Sequence, residues 1–143
     1  MKTTFDTNAF LYQLVTSAIG TTLTGGVWQI ERPMDSKHED IVVGTLPIDE
    51  SQVAVCNVNI FVPDKAVGIA GKTNMVADLH RLGELTNIVV DALDQDTDLA
   101  QNYHYRIVNQ SLLEVPETDQ HFVNLRLDLR LYFQSFKIRR HII

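Results

Sequence analysis

The clearest hydrophobic pattern in the chain is a strict alternation over residues 53–62. One set of alternate positions is entirely apolar, namely Ala54, Cys56, Val58, Ile60 and Val62. Because successive side chains of a strand point to opposite faces, these five share one face. The other face contains Asn57 and Asn59 and is expected to be partly solvated. The pattern therefore predicts a central strand that is covered by helices on one side and ends at Pro63-Asp64.

A second alternating run closes the chain at residues 122–133. Its apolar positions are Val123, Leu125, Leu127, Leu129, Leu131 and Phe133. A predicted strand at 103–115 and a turn at 116–120 precede it, which indicates a closing hairpin. The polar positions combine both signs of charge, with Arg126, Asp128 and Arg130 on the last strand and Arg106 on the one before. This face is either a solvated sheet surface or a subunit contact, in which mixed charges would fix the register.

Two stretches follow helical spacing instead. The first predicted helix has apolar residues recurring over 10–19, a start capped by Asp6, Thr7 or Asn8, and an end at Gly20. The second is predicted over residues 73–93, with Thr73 or Asn74 as its cap. Short strands are predicted at 27–31 and 40–46, and a loop at 63–71 leads into the second helix.

The predicted elements occur in the order α-β-β-β-α-β-β. Short connections between strands imply antiparallel neighbours, and the helices are then free to cover one face. The sequence thus predicts an α+β fold with a single mostly antiparallel β-sheet and two main helices packed on one face. The 143 residues suffice for one domain, 1–143, with residues 135–143 as a basic C-terminal tail.

Composition narrows the possible partners. The net charge of −6 argues against a broad basic surface that wraps nucleic acid. Cys56 is the single cysteine, so no disulfide forms within the chain. No apolar run reaches membrane-spanning length, and the first residues lack the apolar core of a signal peptide. We expect a cytoplasmic protein that leaves the cell only within a larger particle.

One stretch matches a relaxed phosphate-loop pattern. It runs from Ala66 to Thr73 and ends in Gly71, Lys72 and Thr73, between a predicted strand and a predicted helix. Such a loop would offer backbone amides, a lysine and a magnesium-binding hydroxyl. However, residues 63–65 separate it from the strand, and the chain has one crossover helix and no acidic magnesium ligand at a strand end. We interpret the match as a decoy in a flexible loop that runs into a helix start.

Two acidic stretches imitate metal sites. Asp94, Asp96 and Asp98 have the spacing of an EF-hand start, but Leu99 and Tyr105 occupy positions that need Gly and Glu. The neighbours His38, Glu39 and Asp40 near a strand start are expected to point in different directions, which does not suit a shared ion. The sequence contains no convincing catalytic group, so we expect no enzyme activity, no metal and no cofactor.

Four short strings in the middle of the chain carry a family resemblance. They are Gly26-Val27-Trp28, then Arg32-Pro33 with Ser36, then Glu39-Asp40 with the apolar residues 41–43, and finally residues 57–64, from Asn57 to Asp64. Together with the element order, they resemble the tail terminator (tail-completion) proteins of long-tailed bacteriophages and prophages. The resemblance spans most of the chain, and its strings are short.

The resemblance implies a small α+β subunit that assembles with copies of itself into a ring, expected to be a hexamer. Such a ring caps the tail tube, contacts the head–tail connector proteins and lets DNA pass through its lumen without specific binding. The net negative charge of the subunit is compatible with the passage of DNA, because an acidic lumen repels the phosphate groups. The protein would assemble in the cytoplasm and end in the virion tail. The expected assembly surface comprises Arg32, Asp35, Lys37, His38, Glu39 and Asp40 in one loop, and Asp94, Asp96 and Asp98 in an acidic turn.

Two further functions remain open from the residues. One is a small nucleotide-binding protein that uses the loop from Ala66 to Thr73. It would bind ATP or GTP with magnesium, and Lys72→Ala would abolish that binding. The other is a homodimeric adaptor without catalytic activity that pairs its edge strands.

Overall fold

A computed structural model describes residues 3–45, 53–95 and 103–131. Within these residues there are two helices, α1 (Thr4–Ile19) and α2 (Leu79–Gln95). The strands are β1 (Val27–Gln29), β2 (Asp40–Thr45), β3 (Val53–Pro63), β4 (Lys65–Ile69), β5 (Lys72–Val76), β6 (Tyr103–Val115) and β7 (Gln120–Leu131). A short 3₁₀ helix, Pro116–Thr118, joins β6 to β7.

Five strands form the main sheet in the order β1-β2-β3-β7-β6. The pair β1–β2 is parallel and the other three pairs are antiparallel. The central strand β3 pairs with β7 over its whole length, from Val53 opposite Arg130 to Pro63 opposite Gln120. The predicted α+β class with a mostly antiparallel sheet is therefore confirmed. A separate sheet, β4–β5, was not predicted.

The core lies between the helices and one face of the main sheet. The alternation in β3 is confirmed, because its predicted inward residues are all buried while their neighbours are half-buried. The helices contribute Leu11, Val15, Ile19, Leu82, Leu85, Val89 and Leu93 to the same cluster. The inward face of β7 contributes Leu125, Leu127 and Leu129. Both helices thus cover the same side of the sheet, as predicted.

The start of α1 differs from the prediction, whereas its end does not. Its cap is Thr3, whose hydroxyl accepts the Asp6 backbone N–H at 3.2 Å, while the Asp6 carboxylate accepts the Thr3 N–H at 2.8 Å. Asp6 therefore completes a capping box from the third helical position and is not itself the cap. Gly20 ends the helix as predicted.

The prediction for residues 63–76 is wrong. Instead of a flexible loop and a helix start, β4 and β5 form an antiparallel hairpin with Ile69 opposite Lys72. Ala70 and Gly71 form its two-residue turn with φ values of 51° and 77°. Two positive φ angles in succession are the signature of the turn that best matches hairpin twist. Helix α2 begins only at Leu79, where the Asp78 side chain accepts the Arg81 backbone N–H at 3.2 Å.

Several predicted segments lie outside the described residues. They are the part of the acidic turn from Asp96 onward and the basic tail at 135–143. Asp94 is described and lies in the last turn of α2, so its predicted place in a loop is wrong. No helix among the described residues is long and apolar enough to cross a membrane.

Candidate functional site

The loop between β1 and β2, residues 30–39, folds over the sheet face that the helices leave open. It positions Arg32 above the Phe61 ring, with the guanidinium carbon 3.8 Å from the ring centroid. Phe61 in turn stacks on Phe122 at 4.7 Å between centroids. A cation above an aromatic face is attracted by the ring quadrupole. The stack therefore fixes the loop onto the two central strands.

Asp40, the first residue of β2, is the acceptor on which this loop and β1 converge, and it is 1% exposed. Its Oδ1 accepts the Trp28 indole N–H at 2.8 Å and the Gly26 backbone N–H at 3.0 Å. Its Oδ2 accepts the Ser36 hydroxyl at 2.5 Å and the Arg32 guanidinium at 3.4 Å. Each carboxylate oxygen thus has two donors, which satisfies a buried charge.

Gly25 explains how the chain approaches this carboxylate so closely. A Cβ atom at Gly25 would collide with Asp40 Oδ1 and with the Glu39 carbonyl oxygen. The Gly25 N–H instead donates to that carbonyl at 2.9 Å. A side chain at this position would therefore force β1 away from β2.

Gln120 ties the same loop to the end of β7. Its Oε1 accepts Arg32 Nη2 at 2.7 Å and the Thr118 hydroxyl at 2.9 Å. Its side-chain amide donates to the His38 carbonyl at 3.0 Å. Burial lowers the pKa of the Arg32 guanidinium, while the neighbouring Asp40 carboxylate raises it. These contacts between distant parts of the sequence make the loop a rigid part of the fold.

Glu39 faces the helix side and pairs with Arg81 at the start of α2. The two bonds join Nε to Oε2 at 2.6 Å and Nη2 to Oε1 at 2.8 Å. Arg81 also donates to the Thr22 carbonyl at 2.9 Å, and the Glu39 backbone N–H donates to the Thr24 hydroxyl at 2.9 Å. The hydrogen bonds from Glu39 raise the pKa of Arg81. Arg81 thereby joins α2, the α1–β1 connection and β2.

The structure separates the predicted assembly surface into two groups. Arg32, Glu39 and Asp40 are engaged in contacts inside the chain. Asp35, Lys37 and His38 are exposed on the same loop, and Asp94 is exposed at the end of α2. Asp96 and Asp98 lie outside the described residues. The prediction of a partner contact at this loop therefore rests on its three exposed side chains.

The phosphate-loop candidate does not have the context that its chemistry needs. Lys72 and Thr73 lie on β5 with exposed side chains, opposite Ile69 and Gly68 of β4. A phosphate cradle requires free backbone amides of a loop that leads directly into a helix. Here the residues form a strand, and α2 starts six residues after Thr73.

No metal-ligating group of three His, Cys, Asp or Glu side chains occurs within the described ranges. The carboxylates of Glu39 and Asp40 diverge to different partners, as the sequence predicts for consecutive residues at a strand start. A polar pair that the sequence did not reveal is His121 with Asp64, whose Nδ1 and Oδ1 lie 2.6 Å apart. These residues are 57 positions apart, so only the β3–β7 register brings them together.

Two of the open surfaces formed by the described residues are an arm and a groove. We call β4 and β5 with their turn (residues 65–76) the arm; eight of its ten strand residues are exposed, including Ile69 at 57% and Met75 at 47%. The groove lies between α2 and strands β6 and β7, holds about 300 Å³, and is lined by Leu79, Leu82, Gly83, Thr86, Leu112 and Val123 among others. Leu79 is 64% exposed and Leu112 is 51% exposed at its mouth.

The comparisons with known proteins yield a distant likeness in structure only. No protein-family model matches the chain, and no curated protein matches it. A solved chain titled "Virion of native gene transfer agent (GTA) particle" aligns with a TM-score of 0.47 and 16% sequence identity. The alignment covers 85% of this chain and 90% of that one. A likeness this distant assigns no function to this chain.

Proposed function

We propose that this protein is a structural subunit of a phage or prophage tail, a tail terminator or head–tail joining protein that forms a ring on the tail tube. The sequence resemblance supplies the family, and the order of a leading helix, three strands, a long helix and a closing hairpin agrees with it. The arm between β3 and α2 is an addition to that order. The partners would be further copies of this chain, the tail tube protein and the head–tail connector.

The residues that carry the resemblance support the proposal because they meet in space. Gly26, Trp28, Arg32 and Ser36 all donate to Asp40, and Phe61 lies beneath Arg32. Residues from four separate strings therefore form one network. The four strings are therefore one structural unit of this chain, as a family signature would be.

The observation that carries the proposal is the exposed arm. A two-stranded hairpin is at best marginally stable in water unless another surface covers it. The arm nevertheless exposes eight of its ten strand residues, with Ile69 and Met75 among them. Such an exposed hairpin is expected in a subunit of a permanent assembly, because a neighbouring subunit then covers it.

Solution mass and electron microscopy test the proposal. Six copies of a 16.2 kDa chain give a ring of about 97 kDa. Light scattering over a concentration series should detect this species, and negative-stain images should show rings, free or at the ends of cognate tail tubes. A monomer at every concentration that also adds no density to those tube ends would contradict the proposal.

The edge strand β6 favours one alternative, the homodimeric adaptor. Within the described residues, β6 pairs with β7 on one side only, through twelve of its thirteen residues. Such an edge is a template for pairing with another chain. A dimer whose mass does not change with concentration, and which forms no ring, would support the adaptor instead.

A further inference from the structure

We infer that the arm of one subunit docks in the groove of the next copy of this chain. The tip residue Ile69 would enter the groove beside Leu112, and the arm's lysines would face the acidic side of α2. This inference rests on the proposed function, because it specifies how neighbouring subunits of the ring hold each other.

The arm and the groove have complementary apolar surfaces. Ile69 is 57% exposed near the turn of the arm, and Leu79 and Leu112 are 64% and 51% exposed at the mouth of the groove. Burying these side chains against one another removes apolar surface from water, which is the main favourable term in most associations. The groove volume of about 300 Å³ is at the lower end for a binding cleft and suits one or two inserted side chains.

Charge favours a second copy as the occupant. The arm contains Lys65 and Lys72 and no acidic residue, so it contributes +2 to a chain total of −6 and the remaining residues carry −8. Next to the groove, the exposed side of α2 carries Asp91, Asp94 and Glu84, the last of which also lies 3.5 Å from Arg81. Their spacing of three and seven residues places them along one side of the helix. Asn87, which lines the groove, lies on that same side.

The tip brings both kinds of contact together. Ile69 and Lys72 are direct cross-strand partners, so their side chains leave the same face of the arm. When Ile69 enters the groove, Lys72 therefore lies beside it, toward the carboxylates of α2. Opposite charges arranged in this way fix the register of docking as well as attracting the partner.

The arm is poorly placed to fill the groove of its own chain. The groove begins at Leu79, three residues after the arm ends at Val76. The ladder from Lys65–Val76 to Ile69–Lys72 carries the tip about 15 Å from that base. To reach its own groove, the arm would have to fold back from its base over its whole length, against α2.

An arm on one side and a groove on the other make a head-to-tail contact. Contacts of this type repeat around an axis and generate a closed ring when the rotation closes. The contact thus explains a ring without requiring the long edge of β6 to pair with another chain.

Disulfide trapping between engineered cysteines tests the docking. In full-length chains that carry Cys56→Ala, one chain receives Ile69→Cys and another receives Leu112→Cys, and the two are mixed and oxidised. Each chain then has one thiol, so a disulfide between tip and groove must join two subunits. The matched control replaces Leu112→Cys with Ser17→Cys on the exposed side of α1. We expect the tip–groove pair to link about tenfold more than the control, because docking raises the local thiol concentration.

A chain carrying both Ile69→Cys and Leu112→Cys should give a ladder of linked subunits up to the ring. Linking equal to the control would overturn the docking, as would a disulfide formed only within one chain. Rings seen by microscopy without tip–groove linking would overturn the docking and leave the proposed function standing. Linking that stops at dimers would support the docking and reject the ring.

A charge variant makes the test independent of the cysteines. Lys72→Glu should lower the tip–groove yield several-fold at low salt, and Lys72→Arg should retain it, because the carboxylates of α2 attract either cation. Lys72 is exposed on β5, so neither change threatens the fold. Equal yields for Lys72→Glu and the unmodified arm would overturn the electrostatic part of the inference.

Discussion

Glu39 and Asp40 are consecutive residues whose carboxylates lie on opposite sides of the sheet. Glu39 pairs with Arg81 at the start of α2, whereas Asp40 accepts hydrogen bonds from Trp28, Ser36 and Arg32 beneath the β1–β2 loop. Alternation of side chains at the start of β2 produces this divergence. One dipeptide therefore joins the helical layer and the covering loop to the same strand.

Removing the charge of Glu39 should destabilise the fold. Glu39→Gln retains the shape but removes the charge of the nearer carboxylate partner of Arg81, at a cost of about 2–4 kcal/mol for a partly buried pair. Urea unfolding followed by circular dichroism measures the loss. The control is Glu84→Gln, whose carboxylate is 49% exposed and lies 3.5 Å from the same arginine; exposed pairs contribute about 0–1 kcal/mol. Equal effects of the two variants would contradict a special role for Glu39.

Asp40→Asn should disrupt the network under the β1–β2 loop. One carboxylate oxygen becomes an NH₂ group that faces donors, so at least one buried donor loses its acceptor, at a cost of about 2–4 kcal/mol. Trp28 reports the change locally, because its indole N–H donates to Asp40 at 2.8 Å. We expect a shift in tryptophan fluorescence together with a lower unfolding midpoint.

The control for that variant is Asp35→Asn on the same loop. Asp35 is exposed and has a positive φ of 58°, a conformation that Asn tolerates well. It should change neither the fluorescence nor the midpoint. If Asp35→Asn and Asp40→Asn changed the fluorescence and the midpoint equally, the cause would be the loss of a negative charge in this region and not the loss of the buried network.

Period-two alternation was sufficient to predict most of the sheet. In β3 and β7 the apolar set is continuous and the opposite set is partly polar, so each strand has one possible inward face. Leu125, Leu127 and Leu129 are buried as that pattern requires. Helix α1 was predictable from its own periodicity, because the buried residues Leu11, Val15 and Ile19 repeat at four-residue spacing.

The arm was not predictable in the same way. Its residues are exposed on both faces, so no buried set produces an alternation. The spacing of Met75, Leu79 and Leu82 in the sequence instead imitates the apolar stripe of a helix. The networks of Asp40 and Glu39 were also hidden, because their partners come from distant parts of the chain: Gln120 meets Arg32 across 88 positions and Arg81 meets Glu39 across 42. Such contacts depend on strand order and register, which local pattern does not contain.

The turn of the arm offers a stabilising substitution. Ala70 has a φ of 51°, which is costly for alanine, whereas Asn followed by Gly is the preferred pair for a two-residue turn of this kind. Ala70→Asn should therefore stabilise the hairpin by roughly 0.5–1 kcal/mol. Amide hydrogen exchange of β4 and β5 measures this directly. Gly71→Val, at a φ of 77°, should have the opposite effect, and faster exchange in Ala70→Asn would contradict the turn geometry.

Magnesium ATP or GTP should not stabilise this protein. The backbone of Lys72 and Thr73 belongs to the β4–β5 ladder, which leaves no amide cradle for phosphate. A thermal-shift series with each nucleotide and magnesium should therefore give no concentration-dependent change, in either the unmodified chain or Lys72→Ala. A ligand present at 100 times its Kd adds about 2.7 kcal/mol, so a real site would be visible. A stabilisation that Lys72→Ala removes would restore the nucleotide-binding interpretation.

Cys56 should make the stability fall at alkaline pH. The thiol is fully buried, and burial raises its pKa from an ordinary 9.0 to about 11, although a contact with Thr45 opposes the shift. Between these two values the unfolded thiol ionises and the folded one does not, so ionisation favours unfolding. The loss from this group is up to about 1.4 kcal/mol per pH unit and is absent below pH 9. Urea unfolding at pH 8, 9, 10 and 11 should show a steeper decline for the unmodified chain than for Cys56→Ala, since other groups titrate equally in both.

Alkylation of the folded protein should also be slow at pH 8, because only the thiolate reacts. Parallel stability curves, or rapid alkylation without unfolding, would mean that the inner face of β3 is open to water.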